Sequence, residues 1–336
     1  MKTTRELTAD HNNTVKWYGP LGAYFVSVGF LFYVVGAFAV DLREVVQTAM
    51  RLDAGMWFIV LALSLANYGL RFGRWHAYLQ GLGHKIPWGH HFTIYMAGFA
   101  LTLTPGKIGE GIRALYLKRF GVGLGRCLSA LYAERLLDVM AVSLLAALLF
   151  MAPAAGFRWL AFVGGALAVI LLAAQHPAVL AVTRRLVDLV LTGWLRTLGE
   201  RITAFQRDVT SLLRARLLAF GLVLGLAAWG AEGVGLYLVA QALDIDIGFW
   251  TAIGIYAVAV LAGALSFLPG GLGSAEAVMV ALLALSGASL PAAVATTGLV
   301  RLATLWFAVA LGAVAWLVIE MLGRDPSLQQ PRLKGI

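Results

Sequence analysis

Long apolar stretches separated by short polar segments dominate the pattern along the chain. A helix needs about 20 mainly apolar residues to cross the hydrocarbon core of a membrane. Six stretches of roughly that length predict six membrane-spanning helices, at about residues 19–40, 56–79, 127–150, 158–175, 217–241 and 296–321.

Two further apolar stretches, at about residues 90–104 and 248–268, run directly into segments rich in proline and glycine. Each is followed by a second, half-apolar piece. Backbone that is not helical is tolerated at membrane depth only where protein or a water-filled cavity satisfies its polar groups. The pattern predicts two re-entrant helical hairpins, at about 90–120 and 248–286; simple packing kinks are the alternative. The hairpin motifs contain Pro105, Gly106 and Gly109, and Pro269, Gly270, Gly271 and Gly273.

The two motifs share a spacing. Glu110 precedes Arg135 by 25 residues, and Glu276 precedes Arg301 by the same number. A polar residue also precedes each motif within the preceding span, Asn67 in the first case and Glu232 in the second. Each half then contains two spans, a hairpin and a third span. Because three crossings is an odd number, the second copy is predicted to be inverted, as in many secondary transporters.

The composition places the chain in the membrane class. Hydrophobic residues make up 60% and charged residues 13%, whereas a soluble domain has about 25% charged residues. The predicted fold is an all-α polytopic membrane protein without a signal peptide. The net charge of +9 is attributed to the positive-inside rule rather than to nucleic-acid binding.

The distribution of basic residues predicts the orientation. If each hairpin enters and leaves the membrane on a single side, all but five of the 26 Lys and Arg residues fall on one side of the membrane, which identifies that side as cytoplasmic. The first hairpin then enters from the cytoplasm and the second from outside. We therefore expect a bacterial cytoplasmic (inner) membrane protein with both termini in the cytoplasm. The expected segments are a tail at 1–18, the first repeat and the next span at 19–175, a linker at 176–216, the rest of the second repeat at 217–322 and a tail at 323–336.

The linker has the pattern of an amphipathic helix. Its apolar residues recur at helical spacing opposite a charged face, which predicts a helix on the cytoplasmic surface. The apolar positions are Leu191, Trp194, Leu198, Ile202, Phe205, Val209 and Leu212.

Charged residues inside the predicted spans are the candidates for chemistry. An arginine at the centre of a span is costly and usually faces a bundle interior, and its planar fork binds phosphate. Glu134 and Asp138 are four residues apart and share a helical face. The alternative is a salt-bridge cluster that only stabilises the helices. The candidate substrate-binding residues are Arg135, Arg301, Glu134, Asp138, Glu276, Glu232, Glu110, Lys107 and Arg113.

Several classes of site are not expected. The single cysteine, Cys127, excludes an internal disulfide and a multi-cysteine metal site. Gly106 and Lys107 lack the remaining residues of a nucleotide-binding P-loop. We expect no cofactor, no metal and no catalytic residue.

The motifs resemble those of a known family. Pro105-Gly106-Lys107 with Gly109, Glu110 and Arg113, followed by Glu134-Arg135, and Pro269-Gly270-Gly271-Leu272-Gly273 with Glu276 and Arg301, are similar to motifs of the lysylphosphatidylglycerol synthase transmembrane-region family. Its best-known members are the flippase halves of the bacterial multiple peptide resistance factors. The resemblance covers about residues 15–322.

The resemblance implies translocation of a phospholipid or polyprenyl-phosphate-linked lipid between leaflets. The resistance factors carry a soluble aminoacyl-transfer domain after the membrane part, whereas this chain stops fourteen residues after Leu322. We therefore expect that it does not make lysyl-lipid itself, and the lipid substrate stays open.

The expected function is a lipid flippase or scramblase. A membrane-embedded polyprenyl-phosphate-dependent transferase and a non-transporting accessory subunit are the alternatives. The expected partner is a membrane lipid; a homodimer and a separate lipid-synthesising enzyme are further open partners.

Overall fold

The structure, a computed structural model, describes residues 47, 50–104, 110–150, 181 and 194–323. The predicted spans at 19–40 and 158–175 and both predicted tails lie outside these residues. So do Pro105, Gly106, Lys107 and Gly109 of the first hairpin motif.

The described part of the first half contains four α-helices. Helix α1 begins after Asp53, whose carboxylate accepts a hydrogen bond of 2.7 Å from the Met56 N–H and so caps the helix. A glycine with φ of +86°, Gly83, follows its last turn. The helices are α1 (Ala54–Gly81), α2 (Trp88–Ala97, continued by a 3₁₀ turn, Gly98–Leu101), α3 (Arg113–Leu117, continued by Lys118–Phe120) and α4 (Leu124–Ala146, continued by Ala147–Phe150).

The second half contains six described α-helices. Its Pro-Gly segment forms a 3₁₀ turn, Pro269–Gly271, between two apolar helices, and a π-helical segment, Leu302–Trp306, lies between its last two helices. The helices are α5 (Trp194–Leu212), α6 (Ala215–Ala242), α7 (Phe249–Leu265), α8 (Ser274–Leu285), α9 (Leu290–Arg301) and α10 (Phe307–Gly323).

Three of the described helical segments are long and apolar enough to cross a membrane, by length and composition: Ala54–Gly81, Ala215–Ala242 and Leu290–Met321. They match the spans predicted at 56–79, 217–241 and 296–321. Together with the helical secondary structure, they confirm an all-α membrane protein. Helix α4 coincides with the span predicted at 127–150, but it carries three charged residues in its middle turns.

Helix α5 covers Trp194–Leu212, within the predicted linker. Leu191 lies outside the described residues, and the position of this helix on the cytoplasmic surface stays a prediction. Val209 and Leu212 are buried, and the Phe205 ring contacts the Tyr132 ring of α4 at 5.6 Å. Leu198 and Ile202 are exposed, so this apolar face only partly packs against the rest of the protein.

Several helix bounds and both glutamate–arginine pairs of the two halves correspond at nearly constant offsets. Helices α1 and α6 both contain 28 residues. From 54 to 215, from 81 to 242 and from 88 to 249 the offset is 161; from 124 to 290, from 110 to 276 and from 135 to 301 it is 166. The offset changes from 161 to 166 between the start of α2 and Glu110 in the first half, and between the start of α7 and Glu276 in the second half. These stretches contain the Pro-Gly segments.

This correspondence corrects one detail of the sequence comparison. The counterpart of Asn67 is Ala228, and the counterpart of Glu232 is Arg71, one helical turn away from the pairing predicted from the motifs. Measuring backwards from the two prolines cannot detect the change of offset, because it assumes that the two copies have equal length.

Helices α1 and α6 pack against each other in antiparallel fashion along their length. The Asn67 side chain donates a hydrogen bond of 2.9 Å to the Ala228 carbonyl at the middle of the pair. Gly235 faces Val60, and Gly221 faces Tyr78. The loops that follow the two helices therefore lie at opposite ends of the pair. The inverted placement of the halves in a membrane stays a prediction.

The two hairpin regions meet inside the protein. Gly270 has a φ of +61°, and a Cβ at this position would lie 2.7 Å from the Leu103 side chain. Leu103, Leu272, Leu305 and Val309 form a small separate apolar cluster there.

Candidate functional site

A buried network of arginines and carboxylates lies between α1, α3 and α4. Glu134 of α4 is at its centre and is fully buried. Its carboxylate accepts hydrogen bonds from Tyr95 at 2.8 Å and from Arg113 at 3.3 Å. Three further guanidinium groups stand within 4 Å of it, at 3.7, 3.8 and 3.5 Å: those of Arg71, Arg74 and Arg135.

Asp138, one turn further along α4, is the second acid of the network. It accepts a hydrogen bond of 2.5 Å from Arg74 and one of 3.0 Å from the Trp229 indole. Arg71 and Arg135 lie at 3.7 and 3.5 Å from its other oxygen. The spacing of four residues on α4 thus places both carboxylates against the same arginines, as the helical period requires.

Packing holds the arginines of the network in place. The Arg113 guanidinium lies 4.0 Å from the centre of the Tyr95 ring, a cation–π geometry. A Cβ at Gly98 would overlap the Arg113 side chain, so only glycine leaves room for it. The Arg71 guanidinium lies between the rings of Phe99, at 5.4 Å, and Trp229, at 5.1 Å.

The two glutamate–arginine pairs at the shared spacing of 25 residues both form ion pairs. Arg135 contacts Glu110 at 3.0 Å, and Arg301 contacts Glu276 at 2.5 Å. Glu110 also accepts from Arg113 at 3.2 Å. Arg301 donates a second hydrogen bond, of 3.0 Å, to the Gly270 carbonyl. The second pair thereby fixes the backbone of the Pro-Gly turn.

A cavity of about 270 Å³ lies between the two halves. Charged and aromatic side chains line its interior, and exposed apolar residues line its edge. The interior residues include Arg71, Arg135, Arg301, Glu110, Asp138, Glu232, Tyr68, Trp229 and Tyr256; the exposed ones are Val139, Ala264, Phe267 and Leu268.

The donors of several hydrogen bonds around the cavity correspond between the halves. Tyr68 donates to the Thr304 carbonyl at 2.5 Å, and Trp229, its counterpart, donates to Asp138, the counterpart of Thr304. Tyr95 donates to Glu134, whereas its counterpart Tyr256 donates to Glu232, which corresponds to Arg71. The two halves therefore share these donor positions but not all of the acceptors.

The structure brings most of the predicted site residues together. Those that line the cavity are Arg135, Arg301, Asp138, Glu232, Glu110, Gly270 and Gly271. Glu134, Arg113 and Glu276 lie behind the lining and contact arginines or acids of the network. Pro269 begins the 3₁₀ turn of the second half and Gly273 directly precedes α8, and neither residue is in the lining. Lys107 lies outside the described residues.

Sequence reasoning missed Arg71 and Arg74 as residues of the site. The orientation count treats Arg71, Arg74 and Arg113 as residues of cytoplasmic segments, and the structure buries all three in the network. Arg71 and Arg74 occur near the end of a predicted span, and hydropathy does not define where this span ends. Their spacing of three residues, which places both on one face of α1, was the available signal.

Among residues 50–104, 110–150 and 194–323, no group of three or more His, Cys, Asp and Glu side chains is arranged to hold a metal ion. Cys127 is buried. The recognisable chemistry of the site is therefore that of its arginines, carboxylates and aromatic rings.

Comparison with known proteins gives a consistent assignment. Residues 21–312 match the family model described as "Lysylphosphatidylglycerol synthase TM region". A UPF0104 membrane protein of Methanothermobacter thermautotrophicus is 23% identical over 88% of this chain and 94% of its own length. A UPF0104 membrane protein of Pyrococcus horikoshii is 21% identical over 81% and 90%.

A phosphatidylglycerol lysyltransferase of Staphylococcus haemolyticus is 43% identical over a shorter region, which covers 19% of this chain and 7% of that protein. The family model covers most of the present sequence. The chain belongs to the lysylphosphatidylglycerol synthase transmembrane-region family.

Proposed function

We propose that the protein is a flippase or scramblase that moves a phospholipid, anionic or aminoacylated, or a polyprenyl-phosphate-linked lipid between the leaflets of a bacterial cytoplasmic membrane. The observation that carries the proposal is the cavity. It combines buried arginines with an exposed apolar edge. A head group fits the first feature and acyl chains fit the second.

The physical obstacle to lipid exchange is the transfer of a charged head group through hydrocarbon. The cavity replaces that hydrocarbon with fixed charges and hydrogen-bond donors. Arg135 is the arginine nearest the edge, because its side chain is 28% exposed whereas those of Arg71 and Arg301 are 6% and 8% exposed. In this mechanism Arg135 receives the phosphate first, and the acyl chains stay in the membrane beside Val139 and Phe267.

The contact between the hairpin regions supplies the barrier that must open during exchange. Leu103 and Gly270 touch across the interior, and the polar cavity lies directly beside this contact because Gly270 and Leu305 line it. Inverted halves with opposed re-entrant hairpins would expose the cavity alternately to the two leaflets.

The charge of corresponding loops supports the proposed orientation. The loop after α1 contains Lys85 and His84, which contacts Arg126 at 2.9 Å. The corresponding loop after α6, residues 243–248, contains Asp244 and Asp246 and has neither Lys nor Arg. By the positive-inside rule, the loop with the basic residue belongs in the cytoplasm and the loop without one outside.

The relatives support a lipid substrate. The name of the staphylococcal relative says that it transfers a lysyl group to phosphatidylglycerol, so a related membrane region operates in a protein that handles a phospholipid. We propose that the present chain translocates such a lipid and is not itself the transferase.

Reconstitution tests the proposal. Purified protein in liposomes that contain tail-labelled fluorescent phospholipid is expected to expose the inner-leaflet label to dithionite faster than protein-free liposomes do. Arg135→Gln is expected to lower the rate by about tenfold, since it removes charge-assisted hydrogen bonds at the cavity edge. Arg201→Gln, on the exposed face of α5, is the matched control and should exchange lipid like the wild type.

Two results would contradict the proposal. Rates equal to those of protein-free liposomes would remove the transport function and leave an accessory role. Formation of a new lipid product from a labelled polyprenyl-phosphate donor, without leaflet exchange, would identify a transferase.

A further inference from the structure

The two halves carry opposite charge at corresponding positions around the cavity. Arg71 of α1 corresponds to Glu232 of α6, and both line the cavity. Each lies four residues beyond the Asn67–Ala228 contact at the middle of the helix pair. At 1.5 Å per residue this is about 6 Å along the helix. Because the helices are antiparallel, the two residues lie on opposite sides of that contact.

The remaining charges enlarge this asymmetry. The first half has Arg74, Arg113, Glu134 and Asp138, where the second half has Gly235, Met279, Val300 and Thr304. Among the described residues of the network and cavity, the first half therefore has four arginines and three acids. The second half has Arg301 with Glu232 and Glu276.

The formal charges of these described groups sum to zero over both halves, but not within either half. With all of them ionised, the first half has one positive charge in excess and the second half one negative charge in excess. Charges in a water-poor interior interact strongly. A ligand with a net charge would disturb the overall balance, whereas a neutral ligand with separated charges would match both ends.

We infer that the cavity selects a zwitterionic head group: a phosphodiester with one primary amine, of which phosphatidylethanolamine is the simplest. The inference rests on lipid exchange as the proposed function, but it replaces the anionic or aminoacylated head group named there with a zwitterionic one. The phosphate lies toward Arg71 and Arg135. The ammonium group lies toward Glu232, whose carboxylate accepts a hydrogen bond from Tyr256.

An aromatic ring suits the amine end as well. Tyr256 lines the cavity with Glu232, and an ammonium group is attracted to the face of such a ring. The first-half end is suited to phosphate because Arg71 is held between two rings and cannot fold away. Glu232 is therefore the specificity residue, and Arg71 the residue that every phospholipid would use.

The test is a comparison of two lipids in one assay. The probes are phosphatidylethanolamine and phosphatidylglycerol, both labelled on an acyl chain so that the amine stays free, in liposomes with wild-type protein. We expect phosphatidylethanolamine to exchange roughly tenfold faster, as one charge-assisted hydrogen bond allows. Glu232→Gln should reduce this ratio to about one, and Glu232→Asp should retain a preference. Arg71→Gln should slow both lipids.

Asp244→Asn is the matched control, because it makes the same acid-to-amide change on an exposed loop and asparagine tolerates the positive φ of this position. It should leave the ratio unchanged. If Glu232→Gln does not fold, Glu276→Gln removes the other acid of the second half, which lies behind the lining against Arg301, and should lower the ratio.

The outcomes separate the inference from the proposed function. Wild-type protein that exchanges both lipids equally, or phosphatidylglycerol faster, overturns the zwitterion preference while lipid exchange itself stands. An unchanged ratio in Glu232→Gln overturns the role of Glu232. No exchange of either lipid by the wild type contradicts the proposed function, and the inference falls with it.

Discussion

Replacing Glu134 with glutamine is expected to lower the free energy of unfolding by about 3–5 kcal/mol, the usual cost of breaking a buried ion pair from one side. The four arginines around Glu134 approach it at 3.3 to 3.8 Å. Without its negative charge, Glu110 and Asp138 are the acids left among the described residues of the network to balance the mutual repulsion of these arginines. Thermal unfolding of purified protein in detergent measures the effect, with loss of folded protein on expression as its extreme form.

Glu200→Gln is the control for this substitution. Glu200 is on the exposed face of α5, where a lost charge costs at most about 1 kcal/mol. Equal melting temperatures for Glu134→Gln and the wild type would show that the arginine network does not depend on this carboxylate. The structural role assigned to Glu134 would then be wrong.

Replacing Arg301 with glutamine is expected to slow lipid exchange by between about tenfold and hundredfold, since one or two charge-assisted hydrogen bonds are lost. The Nε of Arg301 contacts Glu276, and its Nη2 contacts the Gly270 carbonyl. The substitution removes a cavity charge and also releases the Pro-Gly turn. Arg301→Lys keeps the charge but lacks the planar fork, so we expect an intermediate rate.

Arg207→Gln, on the exposed surface of α5, controls for the loss of an arginine as such. The exchange rates of these variants are compared at equal amounts of reconstituted protein. If Arg301→Gln exchanges lipid as fast as Arg207→Gln, the second glutamate–arginine pair has no part in transport.

The spans and the paired motifs are the features that the sequence predicts well. Hydropathy locates α1, α6 and the end of the last span to within a few residues, but it places the start of the last span too late. It works because a helix must be long and apolar to cross a membrane, whatever its tertiary contacts. The spacing of 25 residues identifies both ion pairs, since each depends on one short stretch of chain. These predictions rest on local information.

The charge asymmetry of the cavity is not local, and the sequence did not reveal it. Arg71 and Glu232 differ in residue type, so a comparison of the two halves by sequence does not show that they correspond. Their correspondence follows from the helix bounds. Arg71 and Arg74 also look like the basic end of a span, because only the packing of α1 against α4 and α6 buries them. Glu134 was predicted to bind substrate, but the residues around it enclose it completely.

The central claim is that the two halves are inverted copies, so that their corresponding loops lie on opposite sides of one membrane. Cysteine labelling at two corresponding loop positions tests this claim most directly. Lys85 and Asp246 are exposed and correspond at the offset of 161. Each is replaced with cysteine in a Cys127→Ala background and treated with a membrane-impermeant maleimide in intact spheroplasts. We predict that Asp246→Cys is labelled at once and Lys85→Cys only after permeabilisation. Labelling of both positions from the same side would contradict the account.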